Sequence, residues 1–242
     1  MTTSGPSLSA RIPASDRSPS GPVVARILLE VGAVLMRPKD PFILTSGRAS
    51  PVYVDCRKLI GFPRARTKVT ELAVAAIERE IGLESLDVIA GGETAGIPYA
   101  AWIADRLHLP MAYVRKKPKG FGRNAQIEGA FQDGWRALLV EDLATDGGSK
   151  LNFVNALRNA GGKVSHALVV FHYGIFPQAI EDLKAQGVSL IGLATWWDVL
   201  EAAGDLGTLD ATDAKDVRSF LENPEAWSAA HGGKEAGAKS IA

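Results

Sequence analysis

The chain has 242 residues, a formal net charge of zero and 46% hydrophobic residues, a composition typical of a soluble globular protein and not of one that binds nucleic acid or an anionic membrane. No apolar run approaches the roughly 18 residues that a membrane-spanning helix needs, and no signal-like segment opens the sequence, so we predict a cytoplasmic protein. The single cysteine, Cys56, cannot form an internal disulfide and is interpreted as a buried structural thiol. The four histidines lack close metal-ligand spacing, so we predict no tightly held zinc.

The N-terminal part of the sequence predicts a small helix-and-hairpin substructure, here called the hood, beside the rest of the domain. Residues 1–21, rich in serine, proline and small residues, are predicted to be a disordered tail. Apolar residues recur on one side of a helix predicted from Pro22 to Leu35. The segment from Phe42 to Asp55 has two extended pieces around a Ser-Gly-Arg turn, which predicts a hairpin. We expect one domain over residues 22–228, with a helix and hairpin hood at about 22–62 and a flexible tail at 229–242.

The rest of the domain alternates between helix and strand. The predicted helices cover residues 63–81, 97–107, 150–160 and 178–186, and another begins at Trp196; the predicted strands cover 86–90, 111–114, 137–140, 163–171 and 188–194. This alternation predicts an α/β fold with a doubly wound, mainly parallel sheet. Ligands of such sheets bind beyond the carboxyl ends of the strands, where the glycine-rich turn Gly91–Gly96 lies.

A concentrated basic loop follows the strand at residues 111–114. Five of the nine residues from Arg115 to Arg123 are lysine or arginine, and two glycines lie among them. A charge run of this kind is often a solvated hairpin. In a neutral chain, beside a glycine-rich turn, it favours a lid that closes over a polyanion such as pyrophosphate.

The stretch from Arg136 to Ser149 carries the strongest functional signal. A buried strand, Ala137–Val140, is expected to end at Glu141 and Asp142, followed by a loop of Thr145, Asp146, Gly147, Gly148 and Ser149 and then a helix. Backbone N–H groups of such a loop and the helix N-terminus favour a phosphate, and the two carboxylates can accept hydrogen bonds from ribose hydroxyls. An ordinary strand end with a helix cap would use the same residue types.

The full pattern of this stretch, with its acidic pair and Thr-x-Gly-Gly-Ser loop, resembles the phosphoribosyl pyrophosphate motif of type I phosphoribosyltransferases. Together with the hairpin at Phe42–Asp55, the turn at Gly91–Gly96 and the basic loop from Arg115 to Gly129, it resembles the orotate phosphoribosyltransferases within that family. The resemblance covers roughly residues 22–200. It implies a type I phosphoribosyltransferase fold, transfer of a phosphoribosyl group to orotate with Mg²⁺ carried on phosphoribosyl pyrophosphate, and a homodimer with shared active sites.

The resemblance also implies roles for individual residues. Phosphoribosyl pyrophosphate would be bound by Glu93, Thr94 and Ala95, where such enzymes often keep a non-proline cis peptide, by the loop cations Arg115, Lys116 and Lys119 of the neighbouring subunit, and by Glu141, Asp142, Leu143, Ala144, Thr145, Asp146, Gly147, Gly148 and Ser149. Orotate would lie against Tyr53, Val54, Thr145 and Tyr173. Lys119 and Asp142 are the predicted catalytic residues, and no metal ligand is assigned to the chain itself.

The sequence departs from the commoner family pattern at several positions. Thr45 and Phe121 replace a lysine and a histidine, an orotate-facing arginine is missing near Tyr173, and Asp146 adds a carboxylate to the phosphate loop. Two other functions therefore stay open: a phosphoribosyltransferase for another nucleobase, and a non-enzymatic regulator that senses phosphoribosyl pyrophosphate. The intact acidic pair and basic loop disfavour an inactive homologue.

Overall fold

The computed structural model describes residues 18–120, 125–145 and 148–234. Its helices are α1 (Gly21–Glu30), α2 (Pro63–Glu80), α3 (Gly96–Leu107), α4 (Gly148–Asn159), α5 (Pro177–Ala185), α6 (Trp196–Asp205), α7 (Ala211–Glu222) and α8 (Pro224–Ala230). Its strands are β1 (Val34–Met36), β2 (Phe42–Ile43), β3 (Ala49–Ser50), β4 (Val52–Val54), β5 (Val88–Gly92), β6 (Met111–Val114), β7 (Ile127–Glu128), β8 (Arg136–Ala144), β9 (Lys163–His172) and β10 (Ser189–Thr195). Short 3-10 turns lie at Cys56–Gly61 and Leu83–Ser85.

The predicted fold class is confirmed. Six strands form one sheet in the order β10-β9-β8-β5-β6-β7, and all neighbours are parallel except β7, which pairs antiparallel with β6. β8 and β5 lie at the centre, so the two loops predicted to bind anions follow neighbouring strands at one edge of the sheet. No helix among the described ranges is long and apolar enough to cross a bilayer.

Side chains that alternate along the central strands build two cores. On β8, Leu138 and Val140 join a core with α1, α2, α3 and the C-terminal helices, whereas Ala137 and Leu139 join a core with α4 and α5. All four side chains are at most 3% exposed. Because β8 is covered on both faces, its sequence is a continuous apolar run, as expected for a central parallel strand.

The hood packs on the first of these cores and its strands pair differently from the simple hairpin predicted. β2 and β3 form a short antiparallel pair around the turn, but β4 pairs with β1, from Val34 opposite Val54 to Met36 opposite Val52. The predicted helix from Pro22 to Leu35 was therefore too long: α1 ends at Glu30, and Leu35 belongs to β1. Strand pairing overrode the apolar periodicity that had extended the helix.

The C-terminal residues contact the hood. The Ala49 N–H donates to the Ser228 Oγ of α8 over 2.9 Å, and the Lys234 N–H donates to the Gly47 carbonyl over 3.0 Å. Arg48 extends this contact, since its Nη2 donates to Glu225 Oε1 over 2.6 Å. The domain limits at 21 and 228 stay predictions, and residues 1–17 and 235–242 lie outside the described ranges.

Candidate active site

A cavity of about 470 Å³ opens at the carboxyl edge of β5 and β8, a volume in the range of small-molecule sites. It gathers residues from the hood, the turn after β5, the basic loop, the end of β8 and α4. The lining residues are Tyr53, Val54, Asp55, Cys56, Arg57, Glu93, Thr94, Ala95, Lys116, Glu141, Asp142, Leu143, Thr145, Lys150, Phe153 and Tyr173. Most residues predicted from the sequence to bind substrate are thus brought to one place.

The acidic pair lies inside a strand and not beyond its end. β8 runs to Ala144 and pairs with β9 as far as Ala144 opposite His172, which corrects the strand end predicted at Val140. The prediction relied on the end of the apolar run, but backbone pairing continues past it. Neighbouring strand side chains point to opposite faces, so Glu141 and Asp142 line the same cavity from the two sides of the sheet edge.

Glu141 is buried, 7% exposed, against the turn after β5. A Cβ at Gly92 would lie 2.7 Å from its Cδ, so glycine is required for the strand and the carboxylate to approach each other. Lys150 on α4 faces the carboxylate, with 3.8 Å between Nζ and Oε2. Burial raises the pKa of Glu141 to about 7, although the charge of Lys150 opposes the rise.

Asp142 shares the cavity lining with two cations that influence its ionisation, Lys150 and Arg57. Burial raises its pKa, while Lys150 and Arg57 favour the ionised form. Asp142 is also one reason, after burial itself, that the pKa of the Cys56 thiol is raised well above its ordinary value. Cys56 is 1% exposed and is no thiolate nucleophile at neutral pH, in agreement with its interpretation as a structural thiol.

One end of the cavity is aromatic. Tyr53 packs in a tilted arrangement against Phe42 of the hood, with 5.7 Å between ring centroids, and Tyr173 stacks on Phe176 with 6.2 Å between ring centroids. Burial, and then the proximity of Cys56 and Tyr53, raises the pKa of Tyr173, so its hydroxyl stays protonated. The Arg48 guanidinium lies over the Phe176 ring at 4.3 Å from its centroid, a cation–π contact that stabilises this wall.

The basic loop contributes unequally to the cavity of its own chain. Lys116 lines it, and its backbone N–H donates to Glu93 Oε2 over 2.7 Å. Arg115 and Lys119 instead face Glu128, with 3.4 Å from Nη1 and 3.8 Å from Nζ to Oε1. Neither belongs to the lining, so the structure does not bring these two predicted binding residues to the cavity of the same chain.

The two predicted phosphate turns differ in how much of them is described. The peptide bond between Glu93 and Thr94 is cis, as the family resemblance implied, and Thr94 and Ala95 line the cavity at the start of α3. Thr145 lines the cavity beyond β8, and Gly148 and Ser149 begin α4. Asp146 and Gly147, like Phe121 of the basic loop, lie outside the described residues.

Two basic residues of the described cavity lining were not identified from the sequence as functional. Arg57 follows the hood strand β4, and Lys150 follows the Gly-Gly-Ser segment in the first turn of α4. Position immediately after a predicted ligand-binding segment is the signal that could have identified both. His172, interpreted as structural, is buried beside this region, and burial lowers its pKa to about 4, which keeps its ring neutral.

Proteins of known identity resemble the chain along most of its length. Orotate phosphoribosyltransferase of Cereibacter sphaeroides is 57% identical over 205 residues, which cover 85% of this chain and 88% of that protein. The crystal structure of orotate phosphoribosyltransferase from Aeropyrum pernix matches with a TM-score of 0.64 at 35% identity, covering 75% of this chain and 99% of the other. The Mycobacterium tuberculosis orotate phosphoribosyltransferase in complex with 5-phospho-α-D-ribosyl 1-diphosphate matches with a TM-score of 0.58 at 25% identity, with coverages of 75% and 99%. No protein-family model matches the chain.

Proposed function

The chain belongs to the orotate phosphoribosyltransferases, and we propose that the cavity beyond β5 and β8 is where it transfers the phosphoribosyl group to orotate. The enzyme converts orotate and phosphoribosyl pyrophosphate into orotidine 5′-monophosphate and pyrophosphate, a step of pyrimidine biosynthesis. The observation that carries the assignment of the site is the convergence of the acidic pair, the Glu93–Ala95 turn and the aromatic wall on one cavity.

The substrate spans the cavity from its polar to its aromatic end. The 5′-phosphate binds at the loop from Thr145 to Ser149 and the N-terminus of α4, where backbone N–H groups and the helix dipole favour an anion. Glu141 and Asp142 accept hydrogen bonds from the ribose hydroxyls, and the Glu93–Ala95 turn binds the pyrophosphate. The orotate ring binds at the aromatic end of the cavity, against Tyr53 and Tyr173.

The chemistry requires positioning more than proton transfer. The bond from the anomeric carbon to pyrophosphate breaks as the bond to the orotate nitrogen forms, and positive charge develops on the sugar ring. Holding both reactants in line removes much of the entropic barrier, and nearby cations stabilise the charge of the departing pyrophosphate. The carboxylate of orotate is ionised at neutral pH, but its ring nitrogen carries a proton. That proton leaves as the bond to the anomeric carbon forms and passes to solvent or to the departing pyrophosphate, so the site needs no dedicated general base. The carboxylates of the acidic pair lie on the sugar's side and favour its developing charge.

Magnesium fits this site as a substrate-borne ion. Mg²⁺ usually binds through one or two carboxylates together with substrate phosphates, and the cavity offers Glu141, Asp142 and Glu93 as oxygen donors. No group of three or more His, Cys, Asp or Glu side chains within the described ranges could hold a metal ion by itself. When bound with phosphoribosyl pyrophosphate, Mg²⁺ neutralises phosphate charge and makes pyrophosphate a better leaving group.

The enzyme acts as a cytoplasmic homodimer in which the basic loop of one subunit closes over the cavity of the other. Support comes from the positions of Arg115 and Lys119, which face Glu128 of their own chain and leave the cavity without its full set of pyrophosphate-binding cations. Closure of the partner's loop would complete that set and exclude water during transfer.

The assay that tests the function follows the loss of orotate absorbance with purified protein, phosphoribosyl pyrophosphate and Mg²⁺, with uracil and several purines as parallel substrates. We expect consumption of orotate alone, stopped by a chelator and restored by added Mg²⁺. Turnover of a different base would show that the enzyme is a phosphoribosyltransferase for another nucleobase. Absence of turnover with every base, together with binding of phosphoribosyl pyrophosphate, would favour the regulator.

We expect Asp142→Asn to weaken the binding of phosphoribosyl pyrophosphate by about 10-fold, because an amide is a poorer acceptor than a carboxylate for the ribose hydroxyls. The measurement is isothermal titration with Mg²⁺ present, and binding of orotidine 5′-monophosphate should weaken similarly. Asp133→Asn, on a turn remote from the cavity lining, is the matched control. Unchanged affinity of Asp142→Asn would mean that the acidic pair does not bind the ribose.

A further inference from the structure

The cavity contains three basic side chains, and they are distributed unevenly. Among the described lining residues these are Arg57, Lys116 and Lys150. The backbone N–H of Lys116 donates to Glu93, and the ammonium of Lys150 faces Glu141. Both lysines therefore lie at the end of the cavity proposed to bind phosphate and sugar. Arg57 lies at the aromatic end, where its Nη2 is 3.5 Å from the Tyr53 hydroxyl.

The guanidinium of Arg57 is held in place from one side. Its Nε donates to Asp55 Oδ1 over 2.6 Å, and the same carboxylate oxygen accepts the Arg57 backbone N–H over 3.2 Å, which fixes the turn after β4. On the guanidinium, Asp55 thus accepts a hydrogen bond from Nε. The Nη1 group has no hydrogen-bond partner among the residues that the structure describes. The side chain is 60% exposed, so the terminal donors are accessible to a ligand.

The aromatic end is where a planar base would stack, and orotate differs from uracil by one carboxylate on that base. A carboxylate that enters an apolar, aromatic pocket needs a cation or several donors to replace its hydration. Arginine suits this task because its planar, forked donors match the two carboxylate oxygens. The ammonium of Lys150 faces Glu141, and the charge of Lys116 also acts on Glu141, whereas Arg57 lies beside Tyr53 at the aromatic end. Arg57 is therefore the cation placed for the base.

We propose that Arg57, held by Asp55, binds the carboxylate of orotate and gives the site its preference for orotate over uracil. This inference rests on the proposed function of the cavity. It also supplies a cation at the base, where the sequence lacks the lysine and the arginine of the commoner family pattern at Thr45 and near Tyr173.

The test compares binding of orotidine 5′-monophosphate and uridine 5′-monophosphate, which differ only in that carboxylate, by isothermal titration. The wild-type enzyme should bind the former more tightly, and Arg57→Gln should reduce the ratio of the two affinities by about 10- to 100-fold, mainly by weakening orotidine 5′-monophosphate. Arg57→Lys, which keeps the charge but loses the fork, should give an intermediate ratio. In steady-state kinetics the KM for orotate should rise by a similar factor in Arg57→Gln, whereas the KM for phosphoribosyl pyrophosphate should change much less, through the weaker influence of Arg57 on Asp142.

The matched control is Arg79→Gln, since Arg79 also pairs with a carboxylate, Glu80, but lies on the exposed end of α2 outside the cavity. Circular dichroism and thermal melts of each variant establish that it is folded. A ratio in Arg57→Gln equal to that of the wild type, or equal weakening of both nucleotides, would overturn the role of Arg57. If the wild-type enzyme binds neither nucleotide, the proposed function itself fails, which is a different result.

Discussion

We expect Lys119→Ala to lower kcat for orotidine 5′-monophosphate formation by about 10²- to 10³-fold, with little change in the KM for orotate. The Lys119 side chain is 71% exposed and its Nζ lies 3.8 Å from Glu128 Oε1, so in the free enzyme it is solvated and outside the cavity lining. A cation that reaches pyrophosphate only when the loop closes binds the transition state better than the ground state. Its loss should therefore appear in kcat rather than in orotate binding.

Lys117→Ala is the matched control for this prediction, because Lys117 belongs to the same basic loop but has no assigned contact with substrate. We expect its kcat to stay within about twofold of the wild type, since general loss of positive charge should matter little at physiological salt. Equal losses of kcat in the two variants would mean that the loop acts through its net charge. Equal losses of kcat and orotate affinity in Lys119→Ala would mean that Lys119 serves binding.

Mixing variants separates the contributions of the two subunits. The Lys119→Ala and Asp142→Asn chains, mixed so that subunits exchange and assayed with phosphoribosyl pyrophosphate well below its wild-type KM, should reach about a quarter of wild-type activity. Half of the dimers are then hybrids with one intact site, and each parent homodimer contributes little under these conditions. Absence of recovery, with exchange verified by mass, would place the active lysine in the same chain as the acidic pair.

The elements of the sheet could be predicted from the sequence because buried parallel strands leave a simple pattern. The strand at 111–114 coincides with β6, and the helix at 63–81 differs from α2 by one residue. The pattern fails where polar residues continue a strand, as at Glu141 and Asp142 of β8. It also fails where a short strand follows a helix, as at Leu35 of β1. In both cases backbone pairing with a distant segment decided the structure.

The composition of the site was harder to predict than its location. The acidic pair and the two turns lie in recognisable order along the chain, so their convergence follows from the parallel topology. Arg57 and Lys150 have no such pattern. Whether a lone charged residue faces solvent or a cavity depends on packing between segments, such as the approach of Gly92 to Glu141, which no local sequence encodes.

Lys150→Met is expected to shift the acidic limb of the pH profile of kcat/KM for phosphoribosyl pyrophosphate upward by about one to two pH units, and to lower activity at neutral pH by about 5- to 50-fold. Burial already raises the pKa of Glu141 to about 7, and the charge of Lys150 is the largest influence that opposes this rise. Methionine keeps the length of the side chain but removes the charge. Glu141 would then be protonated at neutral pH and would no longer favour the charge that develops on the ribose.

The same substitution should affect stability in a pH-dependent way. The pKa of Glu141 rises from its ordinary 4.5 to about 7 on folding, so the native state binds more protons than the unfolded state between these values. Stability contributed by this group therefore falls as pH rises through that window. Lys150→Met raises the native-state pKa of Glu141 further, so in the variant this loss of stability continues to a higher pH. The difference in Tm between variant and wild type should therefore be larger at about pH 8 than at about pH 6.

Lys150→Arg and Lys184→Met separate charge from side-chain loss. The arginine variant keeps a cation near Glu141 and should retain an acidic limb close to that of the wild type, with some loss of kcat from altered packing. Lys184 lies 4.0 Å, Nζ to Oε1, from Glu181 but both side chains are about two-thirds exposed, so its substitution should leave the profile and Tm unchanged. An acidic limb that stays in place in Lys150→Met would mean that ionisation of Glu141 does not limit substrate capture. The carboxylate that binds the ribose in its charged form would then be Asp142, on the other side of the sheet edge.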